Sequence, residues 1–281
     1  MKLLPPPEIV ELTGPDARAF AQAQFCNDVE VLDAGASQMS AWLNAHGKIR
    51  ALFHLYCLDS AHYLMLLRGG KAVDVARVLV PFVFRSRLKI HPASGWQLYG
   101  GTDAGTSAAV EAGMDAAPLK ISIPGSQRSL YLAPVKHDDA TDPSFEFDWN
   151  FADVREGVPA LPDTALEQFL PAWLDLERLM AISYRKGCYP GQEIVARMHF
   201  RGVGAPRRLG WVRLLGNPIP TDDVVRDPLG APFAWILNRG RIRDESIDAL
   251  AILSAEAGVD GARWPDQQGR ELEVISTEWK R

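Results

Sequence analysis

Apolar and polar positions along this chain change period several times, between the alternation of strands and the 3.6-residue repeat of helices. Glu8–Leu12 reads as a strand. Thr13-Gly14-Pro15-Asp16 then opens a helix, with Thr13 or Gly14 as cap, Pro15 in the first turn and Asp16 at the positive helix start. Ser37–Leu43 and Ile49–Leu58 are strand-like and joined by the turn Asn44-Ala45-His46-Gly47; in the second, Ile49, Ala51, Phe53, Leu55 and Cys57 share one face. Lys71–Val80 has helical spacing, with Val73, Ala76, Leu79 and Val80 inward and Pro81 as the stop. Strand-like pieces return at Arg87–Ile90, Lys120–Ile123 and Leu130–Ala133. This mixture with short hairpins predicts α+β layers, not a doubly wound parallel sheet.

Thr164 to Glu167 spells a capping box ahead of a helix that Pro171 interrupts, and Ala172–Met180 continues with Trp173, Leu176, Leu179 and Met180 apolar. After Pro206 the helical period disappears. Leu209–Leu214, Phe233–Leu237, Ala249–Leu253 and Leu272–Ile275 are short strands between Gly, Pro and Asp, so an all-β unit, a barrel, is expected there. The boundary drawn is 1–205 for two interlaced α+β domains and 206–281 for the barrel. No internal period repeats, which argues against solenoids and propellers.

Composition narrows the function classes. Of 281 residues 47% are apolar and 23% charged, the make-up of a globular protein with a sizeable core. The net charge of −5 argues against a general nucleic-acid coat or polybasic membrane adhesion. No apolar stretch approaches the roughly 20 residues that span a bilayer, and MKLLPPPEIVEL lacks a signal-like apolar region before its prolines. Cys26, Cys57 and Cys188 are too few and too far apart for a disulfide framework or a zinc site, which predicts a cytoplasmic, reducing setting. The histidines have no metal-binding spacing, and no phosphate loop, nucleophile elbow or RNA-recognition signature is present.

The densest chemical signal runs from Arg185 to Arg197. Tyr189-Pro190-Gly191-Gln192 has type II turn composition, and a helix follows with Glu193 and Arg197 as an i,i+4 pair. Cys188 precedes that helix start beside Arg185 and Lys186, features that favour a thiolate and an accessible, reactive sulfur. The opposing reading is a small buried hydrophobe. Cys26 and Cys57, among apolar neighbours, read as core. Charge is also uneven: Arg185–Arg213 holds seven basic residues and one acid, either a solvated face or a pocket for an anion.

Lys186–Arg197 resembles, across twelve residues, the signature K-G-C-[FY]-x-G-Q-E-x-x-[AS]-R of the YgfZ/GcvT-like folate-binding proteins. Leu12-Thr13-Gly14-Pro15-Asp16-Ala17 through Gln24, Asn27 and Asp28 is similar to the family's N-terminal block. Gly47-Lys48, Arg155-x-Gly157-x-Pro159, Pro171 and Arg201-Gly202 add agreement. The resemblance implies a ring of three domains, two ferredoxin-like and one β-barrel, around a cavity for tetrahydrofolate or a derivative. It also implies an accessory role in making or maintaining iron–sulfur enzymes, including tRNA-methylthiolating ones, with those enzymes or assembly factors as partners. On the same grounds Cys188 carries the chemistry and is aimed at the cavity. Trp149, Lys186, Gly187, Tyr189, Gly191, Gln192, Glu193, Arg197 and Arg201 contact the cofactor, and no metal is held. Trp149 alone could equally be a core tryptophan.

The superfamily also contains the glycine-cleavage aminomethyltransferase, whose hairpin carries a catalytic acidic pair. Here that pair falls on Ala51 and Leu52, which cannot move a proton, so the sequence sides with the accessory branch. A one-carbon transferase taking its acid from elsewhere in the cavity is the competing reading. Of two tryptophans associated with folate in relatives, the second falls near Pro7, while Ala172 and Asp175 stand where some relatives have Gln and Asn.

Overall fold

The computed structural model describes residues 1–102, 117–135, 141–201, 206–216, 221–243 and 245–279. Three antiparallel sheets make up its framework. The first has five strands, β2 (Ile9–Thr13), β3 (Ser37–Leu43), β4 (Ile49–Asp59), β5 (His62–Leu67) and β6 (Lys89–Ala93), in the order β3-β4-β5-β2-β6. The second holds β1 (Lys2–Leu3), β7 (Trp96–Thr102), β8 (Leu119–Ser122) and β9 (Arg128–Pro134), ordered β1-β7-β9-β8. Six strands follow Pro206: β10 (Arg207–Leu215), β11 (Val224–Arg226), β12 (Pro232–Arg243), β13 (Ser246–Ser254), β14 (Arg263–Pro265) and β15 (Glu271–Ser276). They form one sheet ordered β11-β12-β13-β10-β15-β14, curled so that Gln267 N–H donates to Arg226 O from the opposite end.

Both faces of β4 are buried, so it reads as a nearly continuous apolar run. Ala51, Phe53, Leu55 and Cys57 face a core closed by α1 (Ala17–Gln24) and α2 (Ala72–Leu79). Leu52 and Tyr56 face the opposite core, shared with the second sheet and the outer face of the six-stranded sheet. Ile49 joins that second group because a bulge between Trp42 and Leu43 shifts the register at the strand's start. Burying each large apolar side chain contributes about 1.5–3 kcal/mol, and Phe25, Phe53 and Trp42 are fully enclosed here.

Several expected boundaries move. The residue before α1 is Asp16, whose side chain makes no cap and instead accepts from the Arg87 N–H and guanidinium. Gly14 is needed for close approach, since a Cβ there would lie 2.3 Å from Arg87 O. In α2 the buried stripe is Ala72, Val75, Ala76 and Leu79, while Val73 and Val80 face outward. No α-helix forms between Thr164 and Met180, only 3-10 turns at Asp163–Ala165 and Pro171–Leu174. The expected capping box has other partners: the Thr164 hydroxyl donates to Asp223, and Glu167 accepts from Asn44 and Arg50. Backbone bonds from Glu167 N–H to Ile49 O and from Ile49 N–H to Phe169 O tie this stretch to β4. Glu167, Asp175 and Met180 all have positive φ, which a helix does not admit.

A third helix, α3 (Pro143–Glu156), escaped the periodicity reading. Its ends are nonetheless written in sequence: Asp142 accepts from Ser144 N–H, Pro143 occupies the first turn, and Gly157 closes the helix at φ 65°. The signature helix, α4, spans Gln192–Arg201.

Candidate functional site

The signature turn docks onto the β3–β4 hairpin through two glycines. Gly191 has φ 77° as the turn requires, and Gln192 N–H donates to Tyr189 O at 3.2 Å. A Cβ on Gly191 would lie 2.6 Å from both Asn44 O and Gly47 Cα. One on Gly47, also at positive φ, would lie 3.1 Å from the Ile194 Cβ. Backbone therefore meets backbone at this point, and any side chain would separate the two segments.

Lys186 turns inward and is buried. Its Nζ donates to the carbonyl of Gln22, left open in the last turn of α1, and to those of Phe25 (2.6 Å) and Asn27 (3.0 Å) in the segment that follows. Burial pulls its pKa down to about 8, against the opposing pull of Cys26, Asp28 and Glu30. From the other side, the Asn27 amide donates to Met39 O and Met180 O, both at 2.8 Å. The N-terminal block and the signature, more than 150 residues apart, are thus tied by structural hydrogen bonds. Tyr189 packs in the core, 5.4 Å from the Lys186 ammonium.

Cys188 is exposed on the outside of this turn, whereas Cys26 and Cys57 are buried. Burial pushes the Cys26 thiol up to about 11, and its sulfur donates to Ala181 O. Glu193 and Arg197 are both exposed and form no pair with each other. Gly187 and Gln192 lie beside them on the turn and helix start; the side chain of Arg201 and all of Gly202 lie outside the described residues.

The principal cavity is elsewhere, where the three sheets converge. It has a volume of about 440 Å³ and is lined by the Leu4–Glu8 segment, the end of β5, β7, β9, α3 and Asn238 of β12. Trp149 lines it, lying against the β7 backbone at Gly100, where a Cβ would come within 2.6 Å of the indole. No residue from Lys186 to Arg197 is among those lining it, and Cys188 is exposed on its turn. Pro7 also lines it.

Arg68 and Asp153 line the cavity, and an ion network that continues behind them to Arg128 and Glu156 holds this polar wall. Buried Asp153 accepts from Arg68 and Arg128, each at 2.7 Å, and Arg128 also reaches Glu156 while lying 4.5 Å from the Trp149 ring centre. Burial works against the Arg128 charge, yet Asp153 and Glu156 outweigh it and raise its pKa. Behind this wall His54 is fully enclosed with neither ring nitrogen partnered; burial, then the Arg68 charge, push its pKa down to about 3, so the ring is neutral. Glu8 holds Lys71 and the Ala72 N–H. That leaves Glu146 and Asn150 as lining side chains without a hydrogen-bond partner among the described residues. None of these polar groups stood out in the sequence. Asp153, four residues after Trp149 on one helix face, was the available signal.

Ala51 and Leu52 are buried in opposite cores and place no carboxylate in the cavity. Among the described residues no three metal-ligating side chains cluster, and no helix is long and apolar enough to cross a membrane.

No family model matches the chain. The "tRNA-modifying protein YgfZ" of Edwardsiella ictaluri is 26% identical over 280 residues, covering 89% of this chain and 83% of the relative. Its namesake in Serratia proteamaculans is 25% identical over 277 residues, covering 90% and 83%. An uncharacterized protein of Haemophilus influenzae is 28% identical over 200 residues, 70% of this chain and 67% of that one. Among solved structures, the glycine cleavage system aminomethyltransferase T of Bartonella henselae superposes with a TM-score of 0.68 at 13% identity, covering 98% of this chain and 86% of its own. That likeness concerns the fold, mixed helix and sheet with a curled sheet. Sequence likeness over nine tenths of the chain, joined to this fold, bears out the resemblance to the YgfZ/GcvT-like family.

Proposed function

We propose that this protein is a cytoplasmic accessory factor that binds tetrahydrofolate or a derivative in its central cavity and supports iron–sulfur enzymes, including those that methylthiolate tRNA. The observation that carries the reading is the cavity itself, where the three sheets converge, with Trp149 on its wall. An indole face suits a flat pterin, and the Glu146 carboxylate and Asn150 amide can accept and donate to its ring edge. Arg68 and Arg128 are held by acids, so they stiffen the wall and do not draw a ligand's carboxylates inside. Cys188, outside the cavity on an exposed turn, is the thiol offered to client enzymes or assembly factors.

Calorimetric titration with tetrahydrofolate tests the cavity. Trp149→Ala weakens binding at least about tenfold, the scale of a lost stacking contact; unchanged affinity removes the cavity from the proposal. For the client role, a deletion strain lacking methylthiolated tRNA is restored by the wild-type gene and not by Cys188→Ser.

A one-carbon transferase remains the competing reading, and Glu146 is the carboxylate that would serve it. Consumption of a methylene or methyl folate with an amine acceptor, abolished in Glu146→Gln, would establish that reading instead.

A further inference from the structure

Within the basic stretch of the sequence, Lys186 is bound to carbonyls and Arg213 to Asp248. Arg207, the first residue of β10, is different. Its guanidinium carbon lies 4.1 Å from the ring centre of Trp235, 5.0 Å from Trp173 and 6.0 Å from Phe169. Phe169 meets both tryptophans edge to face, so the three rings form one cluster beneath the cation. The side chain is half-buried, and among the described residues it has no ion pair or hydrogen bond. Acids close in the chain to this cluster are engaged elsewhere: Glu167 by Asn44 and Arg50, Asp223 by Thr164 and Arg239.

A guanidinium resting on aromatic faces keeps its in-plane N–H groups open at the edge, the geometry that grips an oxyanion with two parallel bonds. Partial burial of an unpaired cation strengthens that pull, and it lowers the Arg207 pKa from its ordinary value. A second donor lies in the same cluster: the Trp173 indole N–H is buried with no acceptor. None of these four residues lines the central cavity. The 3-10 turn carrying Trp173 packs instead between β10 and the signature helix.

We propose that Arg207, Trp173 and Trp235 form a second binding site that takes the phosphate or carboxylate of a small soluble ligand. The guanidinium edge holds the oxyanion, and the tryptophans carry any flat or apolar portion. The site does not depend on folate occupying the cavity.

Indole N–H resonances of the full chain, assigned by single tryptophan substitutions, read the site directly. Three probes are titrated separately: inorganic phosphate, adenosine 5′-monophosphate and glutarate. Saturable shifts of the Trp173 and Trp235 resonances with any of them support the site, and the strongest probe identifies the source of the oxyanion. Arg207→Lys keeps the charge but loses the fork, and weakens binding about tenfold; Arg207→Ala abolishes the shifts, while Arg208→Ala, an exposed neighbour, leaves them unchanged. The proposal fails if no probe binds more tightly than about 10 mM, or if Arg207→Lys binds as the wild type does. A folded Arg207→Ala protein that still shows wild-type shifts would also overturn it.

Discussion

Replacing Lys186 with methionine distinguishes a structural lysine from a ligand-binding one. The substitution keeps the length of the side chain and removes the ammonium that serves Gln22, Phe25 and Asn27 carbonyls. Three charge-assisted bonds disappear, each worth about 1.5–3 kcal/mol, but the desolvation cost of the buried ammonium disappears with them. The net loss is about 3–5 kcal/mol, a large fraction of a usual stability of about 5–15 kcal/mol. For a chain of this size that lowers the melting temperature by about 10 °C. Scanning calorimetry and urea unfolding measure it, with Arg185→Met as the exposed control, expected within about 0.5 kcal/mol of wild type. Alkaline titration adds a signed test. The folded lysine titrates near 8 and the unfolded one near 10.5. Between those values the unfolded chain holds more protons, so wild-type stability rises with pH relative to Lys186→Met. A variant that melts with the wild type yet loses folate affinity would refute this account and return Lys186 to the ligand site.

Three further outcomes follow from the geometry. Iodoacetamide at neutral pH labels exposed Cys188 well before buried Cys26 or Cys57, read by peptide mass spectrometry; equal rates for Cys26 would contradict the fold around α1. Gly191→Ala destabilises by at least about 2 kcal/mol, because it combines an unfavourable φ with a Cβ against the Asn44–Gly47 turn; a neutral effect in urea unfolding would mean the turn does not seat there. His54, near 3 in the folded state and 6.5 in the unfolded chain, makes stability fall as pH drops below about 6.5, with a slope of up to about 1.4 kcal/mol per pH unit. His54→Leu loses that slope, and identical acid curves for the two proteins would show that the imidazole is solvated.

What could be read in the sequence depended on whether a residue's role was local. β3, β4, the Pro190-Gly191 turn and the strands after Pro206 follow from period and turn chemistry over a few neighbours, and they stand where the pattern puts them. Thr164–Glu167 carries an equally good local signal and fails, since Glu167 is drawn to Asn44 and Arg50 across more than a hundred residues and Ile49 takes the backbone bonds. The signature divides in the same way. Its twelve residues look like one chemical unit, yet Lys186, Tyr189 and Gly191 serve the joint between α1, the hairpin and the turn, leaving Cys188 as its exposed thiol. The cavity's polar wall was invisible for the complementary reason. Arg68, Arg128 and Asp153 are unremarkable in their own segments and acquire meaning only where β5, β9 and α3 meet. A rigid joint beneath an exposed cysteine and a stiff wall beside Trp149 are separate devices, so a substitution that disables one should leave the other measurable.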